Sequence, residues 1–80
     1  MDKKQDITAE TREALDRYIN DHLEPGGFLY AVLCNDLKEA CARADVRNRY
    51  AIWHIVNHLY NNCPSTCWGT PERVTAWLER

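Results

Sequence analysis

Two histidines and two cysteines in the second half of the chain are of the residue types that bind zinc. His54 and His58 are four residues apart, so on a helix they would share one face. Cys63 and Cys67 follow, and a tetrahedral site of two imidazoles and two thiolates would use all four side chains. Their order and the five-residue step from His58 to Cys63 do not match the usual spacing of zinc fingers. The sequence therefore predicts no resident metal. The alternative to ligation is two half-exposed helix histidines and two small packing cysteines.

A second candidate site is the Gly26-Gly27-Phe28 segment, where a helix is predicted to begin. Glycines let a ligand approach exposed backbone N–H groups, and the positive end of a helix favours an anion. A phosphate would fit this chemistry. No strand precedes the segment, so it is neither a P-loop nor a dinucleotide-binding fingerprint. The alternative is a tight turn between two antiparallel helices.

Three arginines form a third candidate at the junction of two predicted helices: Arg43, Arg47 and Arg49. Guanidinium groups bind phosphates and carboxylates through paired hydrogen bonds. The acids nearest in sequence are Asp36, Glu39 and Asp45. These acids favour the alternative of a solvated surface whose charges compensate one another.

Arrangements typical of enzymes are missing from the sequence. Ser65 is the only serine, and it does not lie in a nucleophile elbow. A pair of His58 with Cys63 or Cys67 would lack both a third orienting group and any sign of a depressed thiol pKa. We therefore predict that the protein is not an enzyme and needs no cofactor.

The elements that must position these residues are predicted to be helices almost throughout. Thr8 is a plausible N-cap for a first helix, which the segment from Glu24 to Gly27 would end. A second helix is predicted from Phe28 to about Ala44. Its apolar face would comprise Leu29, Val32, Leu33, Leu37, Ala40 and Cys41.

A third helix is predicted over residues 46–60, with Asp45 as its cap. Its apolar stripe would comprise Ile52, Trp53, Val56, Leu59 and Tyr60. After an ordered loop over residues 63–69, Thr70-Pro71-Glu72 combines three signals that begin a helix. This last helix would dock through Trp77. The sequence thus predicts an all-α fold of about four helices.

Composition limits the classes of function that remain. The chain has 80 residues, so we expect a flexible polar leader over 1–7 and one helical domain over 8–80. A net charge of −2 gives no electrostatic reason to bind DNA or RNA. The longest apolar run, residues 28–34, is too short to span a bilayer, and no signal peptide is evident. We therefore expect a cytoplasmic protein whose cysteines are reduced.

Several short motifs resemble a group of small proteins common in phages and prophages. They are Pro25-Gly26-Gly27-Phe28-Leu29, Asn35-Asp36-Leu37, Leu59-Tyr60-Asn61 and Cys67-Trp68-Gly69. The resemblance covers roughly residues 8–79 and concerns a group of unassigned function. It implies an accessory protein acting in the cytoplasm of a host cell, and among such proteins some sequester nucleotide immune signals while others block host protein complexes.

Three hypotheses follow. The first is a homo-oligomer that sequesters a cyclic nucleotide or an ADP-ribose derivative, with ligand contacts from Gly26, Gly27, Phe28, Asn35, Asp36, Arg43, Arg47 and Trp68. The second is an inhibitor or adaptor that binds a host protein through an apolar patch around Trp68 and Trp77. The third is a structural module stabilised by zinc.

Overall fold

Helices are the only regular secondary structure in residues 7–80, the part of the chain that the computed structural model describes. The elements are α1 (Ala9–Asp21), α2 (Gly27–Leu33), α3 (Leu37–Arg43), α4 (Val46–Asn62), a 3₁₀ turn (Ser65–Cys67) and α5 (Pro71–Leu78). The fold is therefore all-α, as predicted, with one more α-helix than expected. Most of the predicted leader, residues 1–6, lies outside the described residues. Ile7, the last residue of that predicted leader, packs against the core.

Three helices begin where local capping chemistry predicts. The side chain of Thr8 accepts a hydrogen bond from the backbone N–H of Thr11 at 3.1 Å. Asp45 and Thr70 cap α4 and α5 in the same way. These caps satisfy N–H groups that a helix leaves unpaired in its first turn.

The first helix ends earlier than predicted, and the ending does not use the glycines. His22 adopts a left-handed conformation (φ 59°), and its backbone N–H turns back to the carbonyl oxygens of Arg17 and Tyr18. A left-handed residue after the last helical turn is a common helix stop. The Pro25-Gly26 segment is consequently a connection between α1 and α2.

The single long helix predicted from Phe28 to Ala44 is wrong, because the chain turns at Asn35 and Asp36. Asn35 has a left-handed backbone (φ 63°), which asparagine tolerates better than most residues. The side chain of Asp36 then caps α3 by accepting from the backbone N–H of Glu39 at 3.2 Å. An Asp followed three residues later by Glu is a helix-start signal. The break exposes Leu37 and Cys41, which were predicted to lie on the apolar face.

The buried face of α4 also differs from the predicted stripe. Ala51, Ile55 and Leu59 are fully buried, whereas Trp53 and Tyr60 are 68% and 79% exposed. The prediction from large apolar residues placed the buried face of α4 about a quarter of a turn, around the helix axis, from where it lies. Small Ala51 lies on the side of α4 that carries Asn48, and a hydrogen bond from Thr11 to Asn48 ties that side to α1.

One hydrophobic cluster joins the elements. Its largest fully buried side chains are Leu15, Tyr18, Leu33, Ile55, Leu59, Cys67 and Val74. Two hydrogen bonds link distant parts of the chain across this core. The Tyr18 hydroxyl donates to the carbonyl oxygen of Cys67 at 2.6 Å, and the Trp77 indole donates to that of Tyr18 at 2.9 Å. Trp77 therefore docks α5 onto α1, as predicted.

None of the helices within residues 7–80 combines the length and the apolar character that crossing a bilayer requires.

Candidate ligand-binding groove

A groove of about 950 Å³ lies between α2, α3 and α5. It contains five of the eight residues predicted to bind a ligand: Gly26, Gly27, Asn35, Asp36 and Arg43. They come from three separate segments, and the turn between α2 and α3 brings those segments to one side of the molecule. Ala31 and Cys34 are buried at its floor, and α5 supplies the facing wall through Pro71, Thr75 and Leu78.

Gly27 and Arg43 meet at one end of this groove. A Cβ placed on Gly27 would lie 2.9 Å from the Arg43 guanidinium nitrogen Nη1, so glycine allows the arginine to lie across the start of α2. Gly26 has φ +96°, a conformation that favours glycine. The two glycines thus shape the backbone edge, and Arg43 covers it.

The charges in the groove are mostly negative. The Arg43 guanidinium Nε donates to Glu39 Oε1 at 3.1 Å, and both side chains are about half exposed. Three further carboxylates line the groove: Glu24, Asp36 and Glu79. Arg43 is the single cation among the lining residues described. An anion bound here would share Arg43 with Glu39 and would lie close to the neighbouring carboxylates.

Tyr30 and Cys34 supply an aromatic ring and a thiol on one turn of α2. A side-chain hydrogen bond with Cys34 raises the pKa of Tyr30, whose ring is 40% exposed at the groove. Burial raises the pKa of the Cys34 thiol, so this thiol stays protonated at neutral pH. The pair therefore offers a ring for stacking and a neutral thiol, without a thiolate nucleophile.

The structure places the remaining predicted ligand contacts away from the groove. Phe28 is half-buried and lines a smaller groove together with Asn48. Trp68 is half-buried in a third groove, which it shares with Asn35. Arg47 is exposed on α4 and lines none of these three grooves.

The candidate zinc ligands are not assembled. Cys63 and Cys67 form a disulfide, which differs from the expectation of reduced cysteines and removes two thiolates. His54 packs edge-on against the Trp53 ring, and His58 contacts Asn62 through Nδ1. Within residues 7–80, no group of three or more histidine, cysteine or acidic side chains is placed to hold a metal ion.

Sequence reasoning missed the contribution of α5 and of Tyr30. Tyr30 lies one helical turn after Gly26 and Gly27. This spacing was a signal from which its position beside the site could have been predicted. Thr75, Leu78 and Glu79 carried no such signal, since their position depends on how Trp77 docks α5.

Comparisons with known proteins identify no relative: no family model matches the chain, and no curated protein or solved structure does.

Proposed function

We propose that this protein binds and sequesters a small ligand in the groove between α2, α3 and α5, and that the ligand is a nucleotide immune signal of the cyclic-nucleotide or ADP-ribose type. The observation that carries the proposal is the convergence of five predicted residues from three segments on one groove. Its volume of about 950 Å³ suits a ligand of nucleotide size.

In this proposal, different groove residues contact different parts of the nucleotide. The backbone edge at Gly26 and Gly27 lets a phosphate or sugar approach closely, and Arg43 supplies a paired hydrogen-bond donor for a phosphodiester. Tyr30 offers a face on which a base can stack. Asn35 is an exposed residue of the lining, and its amide can pair with the edge of a base.

The carboxylates of the groove limit the negative charge that a bound ligand can carry. Binding a polyphosphate would bring several negative charges toward Glu24, Asp36 and Glu79, each at a cost in Coulomb energy. We therefore expect a preference for ligands with few phosphates, such as a cyclic mononucleotide, over nucleoside triphosphates.

Thermal shift and calorimetry with a nucleotide panel test this function. The panel comprises cyclic AMP, cyclic GMP, a cyclic dinucleotide, ADP-ribose, cyclic ADP-ribose and ATP. A ligand present at a concentration about 100 times its Kd should increase the free energy of unfolding by about 2.7 kcal/mol. The melting temperature, Tm, should rise by many degrees as a result. Arg43→Gln should weaken binding by about tenfold or more, because a charge-assisted pair of hydrogen bonds is lost.

Arg47→Gln is the matched control, since it removes the same charge from an exposed site outside the groove. A panel with no stabilising member would refute the nucleotide assignment. Equal losses in the two arginine variants would place the binding site elsewhere.

The two alternative functions have less support. An apolar docking patch around Trp68 and Trp77 is not presented, because Trp77 is 8% exposed and forms part of the core. A zinc-stabilised module would need thiolates that the Cys63–Cys67 disulfide ties up.

A further inference from the structure

The outer face of α4 carries a row of large apolar side chains that the fold leaves uncovered. Val46, Tyr50, Trp53 and Tyr60 are 64%, 65%, 68% and 79% exposed. Their spacing of four, three and seven residues places them on one face of the helix. We call these four residues the α4 stripe; it extends for about 21 Å along the helix.

Three of the four residues of the α4 stripe lie in a region without charge, whereas Val46 stands between Asp45 and Arg47. Residues 50–62 contain no Lys, Arg, Asp or Glu, although 28% of the whole chain is charged. The solvent face of a surface helix normally carries charged residues. A surface that lacks charged residues and carries Tyr and Trp is characteristic of the centre of a protein interface.

The core of the protein makes no use of this face. Ala51, Ile55 and Leu59 bury the opposite side of α4 completely. The α4 stripe is therefore apolar surface that the folded chain does not bury. Only contact with another molecule would remove it from water.

We propose that a second copy of this chain covers the α4 stripe, so that two α4 helices pack antiparallel about a twofold axis near Trp53. The stripe offers about 600 Å² of accessible surface per chain, given the size of aromatic side chains. Two copies would bury about 1,200 Å², which is the lower end of the range for stable interfaces.

Charge and symmetry favour a second copy over other occupants. The centre of the stripe is neutral, so two copies meet without like-charge repulsion and without leaving a charge unpaired. In an antiparallel pair the helix dipoles oppose one another. Arg47 and Arg49, near the start of one α4, then lie toward the carboxyl end of the partner helix, where positive charge is favourable.

The proposed dimer leaves the ligand groove open. No residue that lines the groove comes from α4, so each copy would retain its own site. The dimer and the proposed nucleotide function can therefore fail independently.

Sedimentation equilibrium of the full chain at 1–200 μM, with Trp53→Lys and Leu23→Lys variants, tests the proposal. Wild type should give twice the mass of one chain at the higher concentrations. Trp53→Lys should weaken association by about 30-fold or more, because an aromatic at the centre of an interface is replaced by a charge. Leu23→Lys replaces a residue that is also exposed, at 51%, away from α4 and should dimerise as wild type. Helical circular dichroism confirms that each variant is folded.

Three results would overturn the proposal. One is a wild-type protein that stays monomeric throughout this range. Another is association that Trp53→Lys and Leu23→Lys affect equally. The third is a monomer that sediments with phosphatidylcholine–phosphatidylserine vesicles in a Trp53-dependent manner, which would assign the stripe to a lipid surface.

Discussion

At the scale of single residues, Tyr18 holds together parts of the chain that are far apart in sequence. Its hydroxyl donates to Cys67 and its own carbonyl accepts from Trp77, so one residue connects α1 to the 3₁₀ turn and to α5. Its side chain is fully buried. The phenol must therefore stay neutral in the folded protein, where an ionised oxygen would lose both solvation and its role as donor.

This environment predicts a loss of stability at high pH. Burial raises the pKa of Tyr18 to about 12 from 10.0. The unfolded chain releases this proton first, so stability is complete below pH 10 and falls as the pH rises toward 12. The expected loss of unfolding free energy is about 2 kcal/mol at pH 11.5, measured by urea unfolding at pH 8, 10 and 11.5.

Tyr18→Phe isolates this contribution from other alkaline effects. The variant should already be less stable at pH 8 by about 1–2 kcal/mol, because the buried carbonyl of Cys67 loses its donor. It should then show a smaller further loss at high pH than wild type. Parallel pH profiles for the two proteins would contradict the assignment. Tyr50→Phe, at an exposed tyrosine, serves as the control when unfolding is measured at a chain concentration too low for the α4 stripes to associate.

At the scale of elements, the turn between α2 and α3 assembles the groove. The backbone N–H of Asp36 donates to Ala31 at 2.9 Å, and the N–H of Gly69 donates to Leu33 at 2.7 Å. These bonds hold the end of α2 against both the following helix and the loop before α5. A continuous helix through Asn35 would carry Asp36 and Arg43 away from the glycines.

The left-handed conformation of Asn35 makes this turn testable. Asn35→Val should destabilise the protein by about 1–2 kcal/mol, because a β-branched residue is strained at φ 63°. Asn35→Gly should be close to wild type, since glycine adopts this conformation readily. Thermal unfolding compares the two. Similar losses in both variants would mean that the Asn35 side chain, and not its backbone, stabilises the turn.

At the scale of the whole molecule, the chain is small, and such chains often depend on additional links for stability. The Cys63–Cys67 disulfide ties the end of α4 to the 3₁₀ turn that Tyr18 and Arg73 also hold. The proposed dimer through the α4 stripe would add a second link, between copies. The stripe lies on α4, the longest helix described, and the disulfide begins at the residue that follows it.

Reduction should therefore lower the stability of the molecule measurably. Closing this short loop is worth about 2 kcal/mol by the loop-entropy relation, which corresponds to a fall in Tm of roughly 10 °C. Thermal unfolding with and without a phosphine reductant measures it. The Cys63→Ala/Cys67→Ala double variant should not respond to the reductant.

A thiol titration in denaturant provides the second readout. The unreduced protein should show two thiols, those of Cys34 and Cys41, and the reduced protein four. Four thiols without reductant would contradict the disulfide.

The sequence by itself determined the features that depend on near neighbours. Thr8, Asp45 and Thr70 begin helices because each side chain bonds to an N–H three residues away. The residue types of the groove were also visible in the sequence, but their meeting was not, because it depends on the turn at Asn35, where the sequence predicted a continuous helix.

Only the tertiary structure decided which faces are buried and which segments meet. The rotation of α4 depends on contacts such as that of Thr11 with Asn48, which are 37 residues apart. The far wall of the groove depends on Trp77 reaching Tyr18, across 59 residues. The spacing of apolar residues in the sequence indicates that a helix has an apolar side. It does not distinguish the core face of α4 from the exposed α4 stripe. Packing against the rest of the chain makes that distinction, because small Ala51 allows a close approach that the larger Trp53 would prevent.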